Sequence, residues 1–385
     1  MVRFHKSIDE LDPKQWNALA GTEIPFLRHE FLAALEHTHC VGEESGWTPS
    51  YISLSDSQGL LGAVPAFIKA HSYGEFVFDF AWAQAYARFG KRYYPKMTIG
   101  VPFTPATGPR LLIRKDADRT VIERKLVKAI ESHAQDLSLS SVHGLFLDQA
   151  DRDTFEKFDW LLRRDCQFHW TNRGYPSFEA YLETFTADKR KKAKRERRRV
   201  AESGIVFETL LGGDFDKRTL DYVYAFHRDT FLRHGHEPYL TREFFSEIAS
   251  NLGDALMIKV AQYKGVPVAA AIFFWYPGAL YGRYWGAAAE FHSLHFEACY
   301  HQGIEFCLER GIARFEPGTQ GEHKVSRGFE PAITWSAHSI TEPRFREAIR
   351  DYLSREADAV DAYAAEVQTH VPYCERRAPN DEDCA

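Results

Sequence analysis

The chain has 385 residues, of which 44% are hydrophobic, 26% charged and 14% aromatic. This globular balance suits about two domains and excludes disordered, collagen-like and coiled-coil builds. The net charge of −6 hides one cationic segment, KRKKAKRERRR from Lys189 to Arg199, which carries +8 and leaves −14 elsewhere.

In chain order, residues 52–67 and 258–273 each read as strand, glycine turn and strand, with identities at Ile52/Ile258, Gly59/Gly265, Ala63/Ala269 and Phe67/Phe273. In each half a third strand (76–82; 280–285) precedes an amphipathic helix (117–135; 294–309) and a closing strand (142–147; 314–316). A strand meander, a helix and a strand, occurring twice, predict an α+β fold of two tandem domains, residues 1–165 and 166–385, with mixed, mostly antiparallel sheets flanked by helices. The first half carries an insertion, 83–113, rich in Pro, Gly and Thr. It is expected to be irregular and to line a site, with Lys96, Thr104, Thr107 and Arg110 as substrate-binding candidates.

A boundary follows near 167–174, then a helix over 177–202. Phe178, Tyr181, Leu182 and Phe185, at i, i+3, i+4 and i+7, seat its first turns on a core. Its basic half is expected at the surface, where Lys189, Arg190, Lys194, Arg195 and Arg198 suit a polyanion. The chain ends in an Ala/Asp/Glu-rich helix after Ser354 and a loose tail from Pro372.

The densest polar constellation is the loop 315–331, FEPGTQGEHKVSRGFEP. Its glycines and prolines fix a turning backbone that carries two carboxylates, an imidazole, an ammonium and a guanidinium. Glu316, Glu322 or His323 could take a proton from an attacking amine, while Lys324 and Arg327 suit a carboxylate, phosphate or oxyanion. The catalytic candidates are thus Glu316, Glu322, His323 and Lys324, and Gln320 and Arg327 join the binding set. Arg283, Tyr284 and Trp285 supply an anion contact and an aromatic wall, and His295 adds an imidazole. All are expected around one pocket also reached by the 96–110 loop. His292, His295 and Cys299 follow i, i+3, i+7 spacing, but a fourth ligand is missing and no metal is assigned. The sequence contains no P-loop, strand-linked dinucleotide fingerprint, zincin motif or nucleophile elbow.

Cys40, Cys166, Cys299, Cys307, Cys374 and Cys384 form no C-x-x-C pair, and the first residues, MVRFHK, lack an apolar signal core. The longest apolar run, 266–276, contains Pro267 and falls short of the ~18 residues of a membrane span. A reducing, cytoplasmic setting is expected.

Several motifs together carry a resemblance: Tyr93-Tyr94-Pro95-Lys96, Val101-Pro102-Phe103-Thr104-Pro105 with Thr107-Gly108-Pro109-Arg110, Phe168-His169-Trp170 with Asn172-Arg173-Gly174-Tyr175, the basic run, Leu294 to Tyr300, and Gly321-Glu322-His323-Lys324 with Arg327-Gly328-Phe329. With these the chain resembles the bacterial FemAB-like family of the GNAT (Gcn5-related N-acyltransferase) superfamily. The resemblance implies tandem GNAT-like domains. It also implies kinship with transferases that move amino acids from aminoacyl-tRNA onto the stem peptide of peptidoglycan precursors. The acyl-CoA loop of GNAT enzymes, [QR]-x-x-G-x-[GA], should fall near 286–294, where the sequence is GAAAEFHSL. No coiled-coil insertion of the kind some Fem proteins carry is present either. The expected activity is acyl or aminoacyl transfer to an amine acceptor, a peptide or cell-envelope precursor. The donor is left between aminoacyl-tRNA and acyl-CoA, and no tightly bound cofactor is expected. The alternatives are a CoA-dependent N-acetyltransferase and a non-catalytic module binding a polyanion or precursor.

Overall fold

The protein is described from a computed structural model covering residues 1–21, 23–319 and 321–374. The chain divides into two compact units. The first comprises 1–165, 239–244 and 333–362, and the second 166–238, 245–332 and the residues from 363 onward.

In the first unit the elements are β1 (Val2–His5), α1 (Pro13–Ala20), α2 (His29–His37), β2 (Trp47–Pro49), β3 (Tyr51–Asp56), β4 (Gly59–Val64), β5 (Ala66–Lys69), α3 (Phe80–Arg88), β6 (Lys96–Ile99), β7 (Leu112–Ile113), α4 (Arg119–Asp136), β8 (Ser141–Gly144) and α5 (Gln149–Lys157). One sheet has the order β1-β3-β4-β7; in another, β2, β5, β6 and β8 are neighbours, with β6 and β8 parallel. Asp118 caps α4 by accepting from the Val121 N–H at 3.1 Å. The apolar stripe Ile122, Leu126, Val127, Ile130 and Ala134 then packs on Ile52, Val64, Met97, Ile99 and Val142. Each large side chain buried there contributes about 1.5–3 kcal/mol.

Three sequence expectations are corrected in this unit. Residues 76–82 are not a strand, although Phe76, Phe78, Phe80 and Trp82 alternate: α3 begins at Phe80, because Trp82 and Tyr86, one turn apart, are the buried pair. Nor is 83–113 irregular throughout, since it holds the end of α3, all of β6 and β7. The hairpin 52–67 is interrupted as well. β3 and β4 pair from Ile52↔Val64 to Asp56↔Gly59, but Phe67 lies in β5 of the other sheet. Pro65, lacking an N–H, marks the change of sheet, and its carbonyl accepts from Gly100 at 3.0 Å.

The second unit contains α6 (Phe178–Glu183), α7 (Ala187–Glu202), β10 (Ile205–Leu211), α8 (Lys217–Arg233), β11 (Leu256–Tyr263), β12 (Val266–Tyr276), β13 (Ala279–Ala287), α10 (Leu294–Phe296), a π turn (Glu297–His301), α11 (Gln302–Arg310) and β14 (Arg314–Glu316). Four elements run from one unit into the other: β9 (Leu161–Thr171), α9 (Arg242–Leu252), β15 (Glu330–Ile340) and α12 (Pro343–Gln368). The strand order is β10-β11-β12-β13-β14-β9, antiparallel except for β13 and β14. Here β12 runs unbroken through Phe273. Around the sheet, Phe168, Trp170, Tyr181, Phe273, Ile304, Phe315 and Phe329 form the core. The helix expected over 177–202 is two helices. The chain breaks where Thr184 closes α6 and the Thr186 N–H donates to Pro372 O at 2.8 Å. The tail expected from Pro372 lies, beyond Cys374, outside the described residues.

Candidate active site

β13 and β14 are hydrogen-bonded neighbours for three residues, Ala279↔Arg314 to Tyr281↔Glu316. Then they part: β13 continues to Ala287, while the chain after Glu316 turns off at Pro317-Gly318. Gly282 permits this close departure, because a Cβ there would meet Pro317 Cα at 3.2 Å. The loop that follows is held from below. Tyr181 O–H donates to Arg327 O at 2.8 Å and Tyr373 O–H to Gly328 O at 2.6 Å.

Lys324 sits where the strands part. Its side chain is buried and Nζ donates to Gly318 O at 2.7 Å. Among the described residues no carboxylate lies within ion-pair distance of it, and burial pushes its pKa down to about 7. Beside it, His323 Nε2 and the Tyr300 hydroxyl share a hydrogen bond of 2.8 Å. Gly321, at φ +110°, is required here, since a Cβ would lie 2.2–2.9 Å from the His323 ring. The His323 pKa is lowered by burial and by the neighbouring Lys324 and Arg327 charges. His295 is brought to about 4 by burial, then by His323, Arg327 and Lys324. Its ring centroid lies 5.5 Å from Trp285, 5.6 Å from Tyr300 and 6.1 Å from His323. The Cys299 thiol is pushed up by burial, which the Lys324 charge opposes. The cluster is therefore electropositive, aromatic-walled and poor in carboxylate.

His323, Lys324, His295 and Trp285 thus come together. Glu316 goes elsewhere: its Oε1 accepts from Arg314 Nε at 2.8 Å, and Oε2 is 4.0 Å from His169, an imidazole that burial brings to about 3. Glu322 is exposed and accepts from the Tyr363 O–H at 2.8 Å. Arg327 is a clamp. It donates to both oxygens of Glu196 on α7, at 3.1 and 2.7 Å, and to His323 O at 2.5 Å, and it lies 3.6 Å over the Phe296 ring. Arg283 lies over Tyr284 at 5.4 Å, and Tyr284 packs against His227 on α8 while its neighbour Trp285 faces His295. Strand alternation thus divides a trio that reads as one group in sequence. Gln320 lies outside the described residues.

On α7, Ala193, Glu196 and Val200 face inward. Lys194, Arg195 and Arg198 are exposed, and Lys189 and Arg190 are half-buried. In the first unit, Lys96 is fully buried on β6, bonded to Glu75 at 2.7 Å, Ser72 at 2.8 Å and Asp79. The Lys96 charge lowers Asp79 to about 2 against the opposing effect of burial. Arg110 is buried and donates to Leu145 O at 2.8 Å and Ala106 O at 2.7 Å, and Thr104 donates to Pro102 O at 3.0 Å. Arg110 and Thr104 thus hold backbone carbonyls of the loop itself, Lys96 ties β6 to residues 72–79, and Thr107 is half-buried. Sequence reasoning missed Tyr300 and Glu196. The one signal for Glu196 is its being the single acid within the basic run. No group of His, Cys, Asp and Glu among the described residues could hold a metal, and no helix among them is long and apolar enough to cross a membrane.

The parted parallel strands within a flanked, mostly antiparallel sheet belong to an α+β fold of tandem GNAT-like domains, the architecture of Fem-type transferases. Solved structures are similar across most of the chain. FemX matches with a TM-score of 0.53 at 9% identity, covering 91% of this chain and 100% of that one. The C-terminal domain assigned to a lysylphosphatidylglycerol synthetase of Agrobacterium fabrum matches with a TM-score of 0.54 at 9% identity, covering 90% and 96%. L-PGS from Bacillus licheniformis matches with a TM-score of 0.50 at 11% identity, covering 84% and 96%. No curated protein matches the sequence. The chain belongs to the FemAB-like family, described as peptidoglycan biosynthesis/recognition, whose profile matches residues 7–375.

Proposed function

We propose that this protein transfers an aminoacyl or acyl group from an activated ester or thioester to the amine of a peptide or peptidoglycan-type precursor in the cytoplasm. The observation that carries this reading is Lys324: a buried amine without a carboxylate partner among the described residues, placed where β13 and β14 part. A buried ammonium of this kind is costly unless an anionic group arrives to share the site. A carbonyl oxygen that gains charge as an amine attacks it is such a group.

In the proposed step the acceptor amine attacks the carbonyl carbon. Lys324 donates to the carbonyl oxygen as negative charge develops. His323, held neutral by its lowered pKa, takes the amine's proton. With Nε2–H donating to the Tyr300 oxygen, Nδ1 keeps the lone pair that accepts it. The ester or thioester bond then breaks as the carbonyl re-forms, and the proton on His323 passes to the departing oxygen or sulfur, so the donor leaves as its alcohol or thiol. The exposed cations of α7 hold the polyanionic part of donor or acceptor, and aminoacyl-tRNA is the donor favoured by nine basic residues on one short element.

The test is mass spectrometry of a precursor peptide with a free side-chain amine after incubation with aminoacyl-tRNA or, in parallel, acetyl-CoA. Addition of one aminoacyl residue is expected, and Lys324→Met lowers its rate by ~10²-fold. Acetylation alone would move the donor to CoA. No transfer from either donor, with RNA or precursor binding retained, would make the protein a binding module.

A further inference from the structure

The segment from Tyr73 to Arg92 in the first unit is not used by the transfer chemistry, and its surface is unusual. Tyr73, Phe78 and Phe89 are 61%, 54% and 77% exposed. Phe80 joins the first two, with ring centroids 5.6 Å from Tyr73 and 6.2 Å from Phe78. Phe89, just past the end of α3, touches the Phe345 ring at 5.8 Å. Between these aromatics α3 presents Ala81, Gln84, Ala87 and Arg88 to solvent. An exposed helix face ordinarily carries several charges of both signs. Here the chain from Phe80 to Lys96 contains no acidic residue at all.

The two acids just before it point inward. Glu75 and Asp79 are buried on Lys96, and Arg163 fixes the backbone by donating to Phe78 O at 2.9 Å. The aromatics are therefore displayed from a clamped backbone, and burying their partners costs little ordering entropy on docking. The cations of the segment are Arg88, Lys91 and Arg92. Lys91 pairs with Glu342, while Arg88 and Arg92 make no ion pair among the described residues.

We infer that this face docks on the surface of an anionic lipid bilayer. Exposed Tyr and Phe beside a small-residue helix face, flanked by two arginines outside any ion pair among the described residues and with no acidic residue from Phe80 to Lys96, match the chemistry of that interface. Ring bodies enter the headgroup region and guanidiniums pair with lipid phosphates. A protein partner or a second copy would be met by the same aromatics, but the one-signed charge favours an anionic sheet. This inference does not rest on the transfer reaction.

The test is co-sedimentation of the full chain with vesicles of phosphatidylglycerol mixed with phosphatidylcholine, and with vesicles of phosphatidylcholine alone. Sedimentation with the anionic vesicles is expected, weakening as salt rises. The combined substitution Tyr73→Ser, Phe78→Ser, Phe89→Ser should lower partitioning by ~10-fold or more. Arg88→Gln with Arg92→Gln, which leaves every buried contact in place, should lower it on anionic vesicles only. Because α7 is also cationic, both variants are repeated with Lys189, Arg190, Lys194, Arg195 and Arg198 changed to Ser, and the same losses are expected. Absence of sedimentation by the parent chain would overturn the inference. So would losses confined to the α7 substitution, or a dimer in sedimentation velocity that the aromatic substitutions abolish.

Discussion

Replacing Lys324 by Met tests the electrostatics of the site without any substrate. A lysine in an unfolded chain titrates near 10.4, whereas Lys324 is pushed down to about 7 in the folded protein. Between those values the unfolded state binds the proton and the native state does not, so stability rises with pH in that window. Below pH 7 both states are protonated, and the native state carries the full cost of a buried ammonium, about 5 kcal/mol at most. From pH 7 to pH 9 the parent protein should regain about 2 kcal/mol relative to Lys324→Met. Urea unfolding of both proteins at pH 6, 7, 8 and 9 reads the difference, and every other titrating group, Lys69 included, cancels between them. The Met variant is expected to be the more stable at pH 6, with an advantage that shrinks steadily toward pH 9. A difference that stays flat across this range would mean that Lys324 titrates like a solvated lysine, and the oxyanion role would lose its basis.

Other outcomes follow from the same geometry. Lys96→Met leaves Glu75 and Asp79 buried without their cation and should destabilise the protein by about 3–5 kcal/mol, measured as a shift in urea midpoint. Glu196→Gln should cost about 2–3 kcal/mol, since Arg327 loses its charged partner; its rate of transfer should fall too, because Arg327 also holds the His323 carbonyl. Gly321→Ala should displace the His323 ring and lower turnover by ~10-fold or more, and because φ +110° strains an alanine it should also cost about 1–3 kcal/mol, read as a shift in urea midpoint. An unchanged rate in that variant would remove His323 as the base.

Much of the fold is legible in the sequence because local periodicity and core packing agree there. The continuous apolar runs of β11 and β12, joined at a glycine turn, and the helical stripe of α4 are buried as their patterns call for. Around residues 75–82 they conflict. Alternating Phe76, Phe78 and Phe80 imitate a strand, but the buried groups are Glu75 and Asp79, four apart and drawn inward by a lysine 17 and 21 residues away. The polar loop is legible as a site candidate from its residue types. What the types do not reveal is which charges are already paired. Arg327 and Glu196 are separated by 131 residues, and no local pattern distinguishes that clamped guanidinium from the uncompensated ammonium of Lys324.

The π turn at Glu297–His301 has a consequence for how this site tolerates change. In a regular α-helix, residues five apart point ~140° away from each other. The widened turn accommodates one residue more, and it brings His295 and Tyr300 to the same side, 5.6 Å apart, both against His323. Regular winding at the present length would swing the two rings apart, whereas deletion of the single residue Ala298 would leave them four apart, which a regular helix places ~40° from each other on one side. The shortened helix would gain better-aligned hydrogen bonds and keep its imidazole cluster. The site therefore depends on the match between residue number and winding in this helix, and a scan of point mutants alone would pass over that dependence.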